Sequence, residues 1–158
     1  MRDLIVSLKN PFGGLSFTTP AETAIAVAGT YYKAAGTTTV QPHVHLVDMP
    51  ADNRLRYTGT VPKHFHIVLQ ASIEYSTGTN LISGLQLWKY DNRAATGALV
   101  AHSEAKGVVD GTEVAQLTSH ADLMLDTNDY IELHVANFDG DNNVTVNLGY
   151  VFMVGMFS

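Results

Sequence analysis

Seven histidines offer the obvious chemistry in this chain. His43 and His45 form one i,i+2 pair, and His64 and His66 form another. On an extended strand such a pair projects to one face, about 6.6–7 Å apart along the chain, so each pair has the spacing to chelate a transition metal. A metal enzyme built this way needs a Glu shortly after its first pair and a further His on a later strand within a Gly-punctuated frame. Here Asp48 and Pro50 follow His45, and the glycine frame is missing. His64 and His66 are instead expected on a polar or interfacial sheet face beside Val68 and Gln70. Because histidine titrates near pH 6.5, assembly through that face is expected to be pH-sensitive.

The remaining constellations are weaker. Asp139, Gly140, Asp141, Asn142 and Asn143 resemble the start of a calcium loop, but the twelfth position, where an EF-hand carries Glu, is Tyr150. A solvated hairpin turn accounts for them better. Ser103 beside His102 and Ser119 beside His120 are strand neighbours that point to opposite faces, so neither makes a nucleophile–base pair. Glu74, Glu113 and Asp122 are carboxylates too sparse to read as an acid–base pair. Trp88 and Tyr90 share a strand face, and Tyr31, Tyr32 and Tyr57 are candidates to join them in a patch suited to a glycan; core or interface packing is the plainer role for such aromatics. No glycine loop of the phosphate-cradling kind occurs. The expectation is therefore no catalytic residue, no cofactor and no metal.

The elements that position these residues read as strands from about residue 20 onward, rich in Thr, Val, Ile and Tyr and punctuated by turn residues. Thr23–Gly29 reads as a strand that Thr30–Ala35 extends, and Arg54–Tyr57 as a short one. Lys63–Tyr75 shows the cleanest alternation, with Phe65, Ile67, Leu69, Ala71, Ile73 and Tyr75 on one face and His64, His66, Val68, Gln70, Ser72 and Glu74 on the other. Leu85–Tyr90, Ala98–Glu104 and Thr112–Ala121 follow. Asp129–Phe138 is expected to pair with Val144–Met156 across a hairpin loop at Asp139–Asn143. Only His120–Leu125 could hide a helical turn. Eight or more strands without an amphipathic helix predict an all-β fold, with a boundary near Pro20 between an N-terminal arm (1–20) and the sandwich (21–158).

Composition narrows the class. The chain has 158 residues, 46% hydrophobic and only 15% charged, with no Cys and a net charge of -6. One domain of this size buries enough surface for a substantial core. The hydrophobic content excludes intrinsic disorder, and the missing cysteines exclude disulfides, zinc–cysteine centres and thiol catalysis. The acidic balance argues against nucleic acid or an anionic membrane as partner. The short apolar run Leu4, Ile5, Val6 lacks the length and cleavage site of a signal peptide, and no stretch approaches a membrane span, so synthesis in a cytoplasm is expected. Acidic loops such as Asp126–Asp129 and Asp139–Asp141 are expected to supply solubility.

The last strand carries the most information. Val144, Val146, Leu148, Tyr150, Phe152, Val154 and Met156 fall on one face; the other runs from Thr145 and Asn147 to Val151, Met153 and Phe157 and turns apolar towards its end. A strand apolar on both faces fits a parallel sheet, but no crossover helices are available. In an antiparallel sandwich the second face then needs a cover, either a second subunit or the chain's own N-terminal arm. Together with Gly29–Gly36 (GTYYKAAG), Asn53–Gly59 (NRLRYTG) and Leu123–Asn137 (LMLDTNDYIELHVAN), this segment resembles the C1q/TNF-like jelly roll, in particular the version found in bacteriophage virion proteins. Leu125–Leu133 is similar to that family's L-x-x-G-D-x-(I/V)-x-(V/L) turn and strand, with Asn128 in the place of Gly; Asn also tolerates the left-handed conformation. Phe152–Met156 loosely echoes the closing F-x-G-x-L, and no collagen-like stretch is present. The resemblance implies a ten-stranded antiparallel jelly-roll sandwich that assembles as a tight trimer around an aromatic and aliphatic axis.

The functional expectation is a non-enzymatic virion protein, a homotrimeric decoration or cement protein bound to a major capsid protein. The residues singled out for the trimer interface are Val68, Tyr150, Phe152, Val154, Met156, His64 and His66, and those for the capsid contact are Leu4, Ile5, Val6, Leu8, Phe12 and Phe17. The alternatives are a receptor-binding, glycan-binding head of a tail fibre or spike on the same fold, and a small cupin-type metal enzyme.

Overall fold

The computed structural model describes residues 10–75, 77–78, 80–110 and 113–156. Its strands are β1 (Phe12–Pro20), β2 (Glu22–Thr23), β3 (Tyr32–Lys33), β4 (Gly36–Val40), β5 (Val47–Ala51), β6 (Arg54–Tyr57), β7 (Lys63–Tyr75), β8 (Leu81–Asp91), β9 (Thr96–Leu99), β10 (Ala105–Val109), β11 (Ala115–Leu125), β12 (Tyr130–Asn137) and β13 (Val144–Gly155). Ten of them form two facing sheets, ordered β11-β7-β13-β1-β4 and β10-β8-β12-β6-β5, with β2, β3 and β9 paired at the margins. All pairings are antiparallel. The architecture is the jelly-roll sandwich that the sequence predicts.

The alternation in β7 survives intact. Phe65, Ile67, Leu69, Ala71 and Ile73 are all fully buried and meet Leu85 and Leu87 of β8 and Ile131, Leu133 and Val135 of β12 from the second sheet. Burial of each such side chain contributes roughly 1.5–3 kcal/mol, so these rows dominate cohesion. His120–Leu125 is no helical turn but the end of β11, paired residue by residue with β7 from Lys63 to Val68.

Three expectations are corrected. The arm boundary at Pro20 does not hold for residues 12–20, which form β1, hydrogen-bonded between β13 and β4. Leu15 and Phe17 point into the core, so Phe17 is a core residue rather than a capsid contact; Leu4, Ile5, Val6 and Leu8 lie outside the described residues. The Thr23–Ala35 strand is broken: only Glu22–Thr23 and Tyr32–Lys33 pair, joined by a loop that turns at Gly29 with φ 75°. Finally, β12 and β13 do not form a hairpin. They belong to opposite sheets, and Asp139–Asn143 carries the chain across the sandwich. A hairpin loop and a sheet-crossing loop need the same turn residues, so composition does not separate them.

Two buried polar side chains fix the second sheet. Asn53, fully buried with φ 50°, donates from Nδ2 to the carbonyls of Ala34 and Leu133 (2.9 and 2.8 Å) and accepts the Leu133 N–H at 3.0 Å. Asp129, also fully buried, accepts the Asn92 and Asp126 N–H groups and pairs with the Lys89 ammonium at 2.9 Å. It therefore organises its turn and supplies no solubility. The preceding Asn128 adopts φ 69°, the left-handed conformation expected of it.

Removing the Asn53 side chain takes that partner from the Leu133 N–H and the Ala34 carbonyl, while the Leu133 carbonyl keeps the Ala34 N–H at 3.0 Å, and an unsatisfied buried polar group costs about 1–3 kcal/mol. Asn53→Ala should therefore lower stability by about 3 kcal/mol or more, read as the midpoint of urea unfolding. Deletion of residues 1–20 removes β1 and should abolish the cooperative transition.

Candidate assembly face

The outward surface of the β11-β7-β13-β1-β4 sheet brings together most of the residues chosen from sequence. A β-bulge makes this possible. Val146 pairs with Ile73, but the next pair is Leu148 with Ser72, so β13 advances two residues while β7 advances one. The extra residue, Asn147, shifts the phase of the strand. Val144 and Val146 before the bulge and Val151 and Met153 after it are buried in the core. Leu148, Tyr150 and Phe152 are turned outward, 59%, 47% and 43% exposed. The seven apolar residues read as one face from Val144 to Met156 are thus divided between core and surface.

Register supplies the neighbours. On β7, Gln70 lies opposite Tyr150, Val68 opposite Phe152 and His66 opposite Val154. Met156 follows the end of β13 and donates its N–H to the His64 carbonyl at 2.8 Å. On the other flank, Gly14 of β1 lies opposite Phe152. A Cβ at Gly14 would sit 3.1 Å from the Phe152 ring and 3.2 Å from the Gln41 side chain, so glycine leaves room for the ring to lie against the strand. Gly14, Gln41, Pro42, His43, Tyr150 and Phe152 enclose a shallow cleft of about 430 Å³. Phe12 is half-buried on this face, its ring centroid 6.5 Å from that of His45. Val68, Tyr150, Phe152, Val154, Met156, His64 and His66 therefore share one surface, with an apolar row on its central strand.

The two histidine pairs do not behave as sequence spacing implies. His43 and His45 lie in the segment between β4 and β5, where only His45 bridges back to Phe12. His66 pairs across strands instead: its Nδ1 is 2.6 Å from Asp122 Oδ1, and its ring centroid is 6.0 Å from that of His120. His120 and Asp122, both on β11, had no site role in the sequence reading of His66; the i,i+2 spacing of two polar residues on an edge strand was the only available signal. Ser119 is buried and donates to the Ser103 carbonyl at 2.6 Å, so the serines beside His102 and His120 are structural.

The glycan patch does not form as expected. Tyr57 is buried against Phe65, and Tyr31 packs edge-on to Phe138. Trp88 and Tyr90 do sit on the outer surface of the second sheet, but their ring faces are engaged. Tyr90 stacks on Tyr130 at 4.7 Å, Trp88 on His134 at 5.5 Å, and the Arg54 guanidinium covers Tyr130 at 4.0 Å. Beneath them, Glu132 is almost fully buried and accepts Lys33 Nζ at 2.9 Å and Arg54 Nε and Nη2 at 2.9 and 2.8 Å, with His134 Nε2 at 3.3 Å from its other oxygen. Burial pushes its carboxyl up, but the hydrogen bonds from His134, Lys33 and Arg54 outweigh that and hold it down at about 2.

No family model and no curated protein matches the chain. Solved structures do. Murine APRIL at pH 5.0 matches with a TM-score of 0.65 at 7% identity, covering 94% of this chain and 100% of that one. The same protein at pH 8.5 gives 0.61 at 7% identity over the same shares. Eiger TNF from S. frugiperda gives 0.57 at 12% identity, covering 94% of each chain. At such identities the likeness is one of fold, and the fold is a TNF/C1q-like jelly roll.

Glu132 also yields a pH prediction. Its folded value of about 2 lies below the ordinary 4.5, so its contribution to stability is present above pH 4.5 and is lost as pH falls towards 2. Glu132→Gln should be less stable than the parent at pH 7, and the gap should narrow as pH is lowered through that window, measured by urea unfolding at each pH.

Proposed function

We propose that this chain is a homotrimeric structural protein of a bacteriophage virion, a decoration or cement protein that binds the major capsid protein and catalyses no reaction. The observation that carries the reading is the outward row Leu148, Tyr150 and Phe152 on the central strand β13. Large apolar side chains in a contiguous row on a sheet face mark an interaction surface. Trimeric assembly is what the jelly-roll resemblance implies, and this face has the aromatic and aliphatic composition of such an interface. Val154 and Met156 extend the row along the chain, and Val68, His64 and His66 extend it onto β7.

Residues Leu4, Ile5, Val6, Leu8 and the half-buried Phe12 remain the proposed capsid contact, and Phe17 is withdrawn from it. Asn10 and Pro11 lead into β1 beside the end of the assembly face, where Pro11 accepts the Gly155 N–H at 2.7 Å. Three copies of one weak contact, linked by a trimer, gain avidity from effective concentration without any new contact. This is the physical advantage of trimerisation for a protein that staples a repeating lattice.

Multi-angle light scattering should give three times the 17.1 kDa chain mass for the parent. Phe152→Asp should give the monomer with unchanged far-ultraviolet circular dichroism, since the ring lies outside the core. A monomeric parent at micromolar concentration overturns the trimer. On heads of the cognate phage, the parent trimer should occupy lattice positions and the chain lacking residues 1–9 should not. Retention by the truncated chain removes the arm assignment, and labelling confined to the tail favours the receptor-binding head.

A further inference from the structure

We propose that His66, His120 and His102 form a binding site for an imidazole-preferring divalent transition metal, Zn²⁺ above all. The proposal stands on cross-strand geometry and does not depend on the trimer. His66 of β7 faces Asp122 of β11, and His120 precedes Asp122 by two residues, so both imidazoles and the carboxylate emerge on the same outward surface. The rings of His66 and His120 are 6.0 Å apart, centroid to centroid, and tilted by 35°. Two imidazoles sharing one ion at Zn–N distances of about 2.0–2.1 Å have ring centres roughly 5–6 Å apart, so the observed separation is close to that of a chelating pair.

Asp122 contributes the second element. Its Oδ1 lies 2.6 Å from His66 Nδ1, which assigns the ring proton to Nδ1 and leaves the Nε2 lone pair free. A carboxylate that orients a histidine and raises its basicity is the usual outer partner of a zinc ligand. His102 supplies the third donor. It occupies the turn between β9 and β10 with φ 63° and, with His66, His120, Asp122, Ala101 and Ala121, lines an open pocket of about 260 Å³. The two alanines keep that space clear of bulk. Among the described residues no three metal-ligating side chains are already gathered at coordination distance. The exposed His102 and His120 side chains must therefore change rotamer to bring three nitrogens onto one ion. Water completes a tetrahedral shell in this arrangement.

Such an ion would tie β7, the edge strand β11 and the β9–β10 turn together, adding to the Ser119–Ser103 hydrogen bond and the His66–Asp122 pair that already link them. The test is calorimetric titration of ZnCl₂ into the untagged, EDTA-stripped full chain, with the metal content of the dialysed complex measured in parallel. One Zn²⁺ per chain is expected, with a rise in unfolding temperature. His66→Ala and His120→Ala should abolish binding, His102→Ala should weaken it, and Asp122→Asn should weaken it about 10–100-fold, the range found for outer-shell partners. His43→Ala, across β13 and β1, should bind as the parent does. Absence of saturable binding overturns the site, as does parent-like binding by both His66→Ala and His120→Ala. Circular dichroism of each variant separates lost binding from lost fold. Light scattering of the stripped protein reports the trimer independently, so either proposal can fail while the other stands.

Discussion

The single-residue phase slip at Asn147 is the constraint on which the rest of this molecule depends. β13 runs through the middle of its sheet, between β7 and β1, so its phase sets what both neighbours must do. Before the bulge, Val144 and Val146 complete the core. Without it, Leu148, Tyr150 and Phe152 would continue inward into space already filled from the second sheet, and Val151 and Met153 would be turned to solvent. Overpacking of that kind costs about 1–3 kcal/mol per site, and a one-residue slip would impose it on the whole second half of the strand. The bulge also places Gly149 inward opposite Ala71, where a Cβ would lie 2.6 Å from the Phe17 ring. Phe17 fills the volume that a side chain at 149 would have occupied. That is why residues 12–20 are an integral strand: β1 supplies core that β13 gives up.

The low charge of the chain takes on a different meaning beside this packing. Acidic loops were expected to carry solubility, yet Asp129 and Glu132 are buried and spend their charge inside the second sheet. Each is matched to cations and N–H groups that reach it from other strands: Lys89 and two turn N–H groups on Asp129, Lys33 and Arg54 on Glu132. A buried carboxylate satisfied in this way costs little, and loss of any one partner leaves an uncompensated charge. With no cysteine to staple the loops, these carboxylates and Asn53 hold the chain's crossings in register. Much of the small complement of charge is therefore structural, and the outward face of the first sheet is left with little of it around β13.

What the sequence made legible follows from how local each feature is. The alternation of Lys63–Tyr75 depends only on neighbouring residues and appears unchanged in β7. Tyr150 and Phe152 face outward, but the strand's pattern neither decides which of its faces is core nor shows that one face does not run its whole length. Both faces of β13 are apolar near its end, and a pattern with the same chemistry on both sides carries no mark of a bulge. The arm was misread for a related reason. Phe12–Pro20 has two adjacent glycines and a terminal proline, which look like breakers locally; Gly14 is required because Phe152 lies against it, a contact more than a hundred residues away in sequence. Partners on β11 for His66 were equally invisible, since only the register of β11 on β7 sets Asp122 opposite it.

The asymmetry of the assembly face bears on the kind of ring it can close. Its apolar row has a 430 Å³ cleft on the β1 side and the His66, His120 and Asp122 cluster on the β7–β11 side. A two-fold axis along the row would set the cleft of one copy against the histidine flank of the other, whereas one across the row would set cleft against cleft. A three-fold ring is heterologous: each copy offers this face to a different surface of the next, so complementarity can be built on two surfaces separately. In the proposed trimer the cleft would accept a side chain from the neighbour and the histidine flank would lie at the polar rim, where interfaces keep their titratable and hydrated groups. A face graded from cavity to apolar row to imidazole thus has two unlike flanks for any partner to match, and the grading originates in Gly14, Asn147 and Asp122.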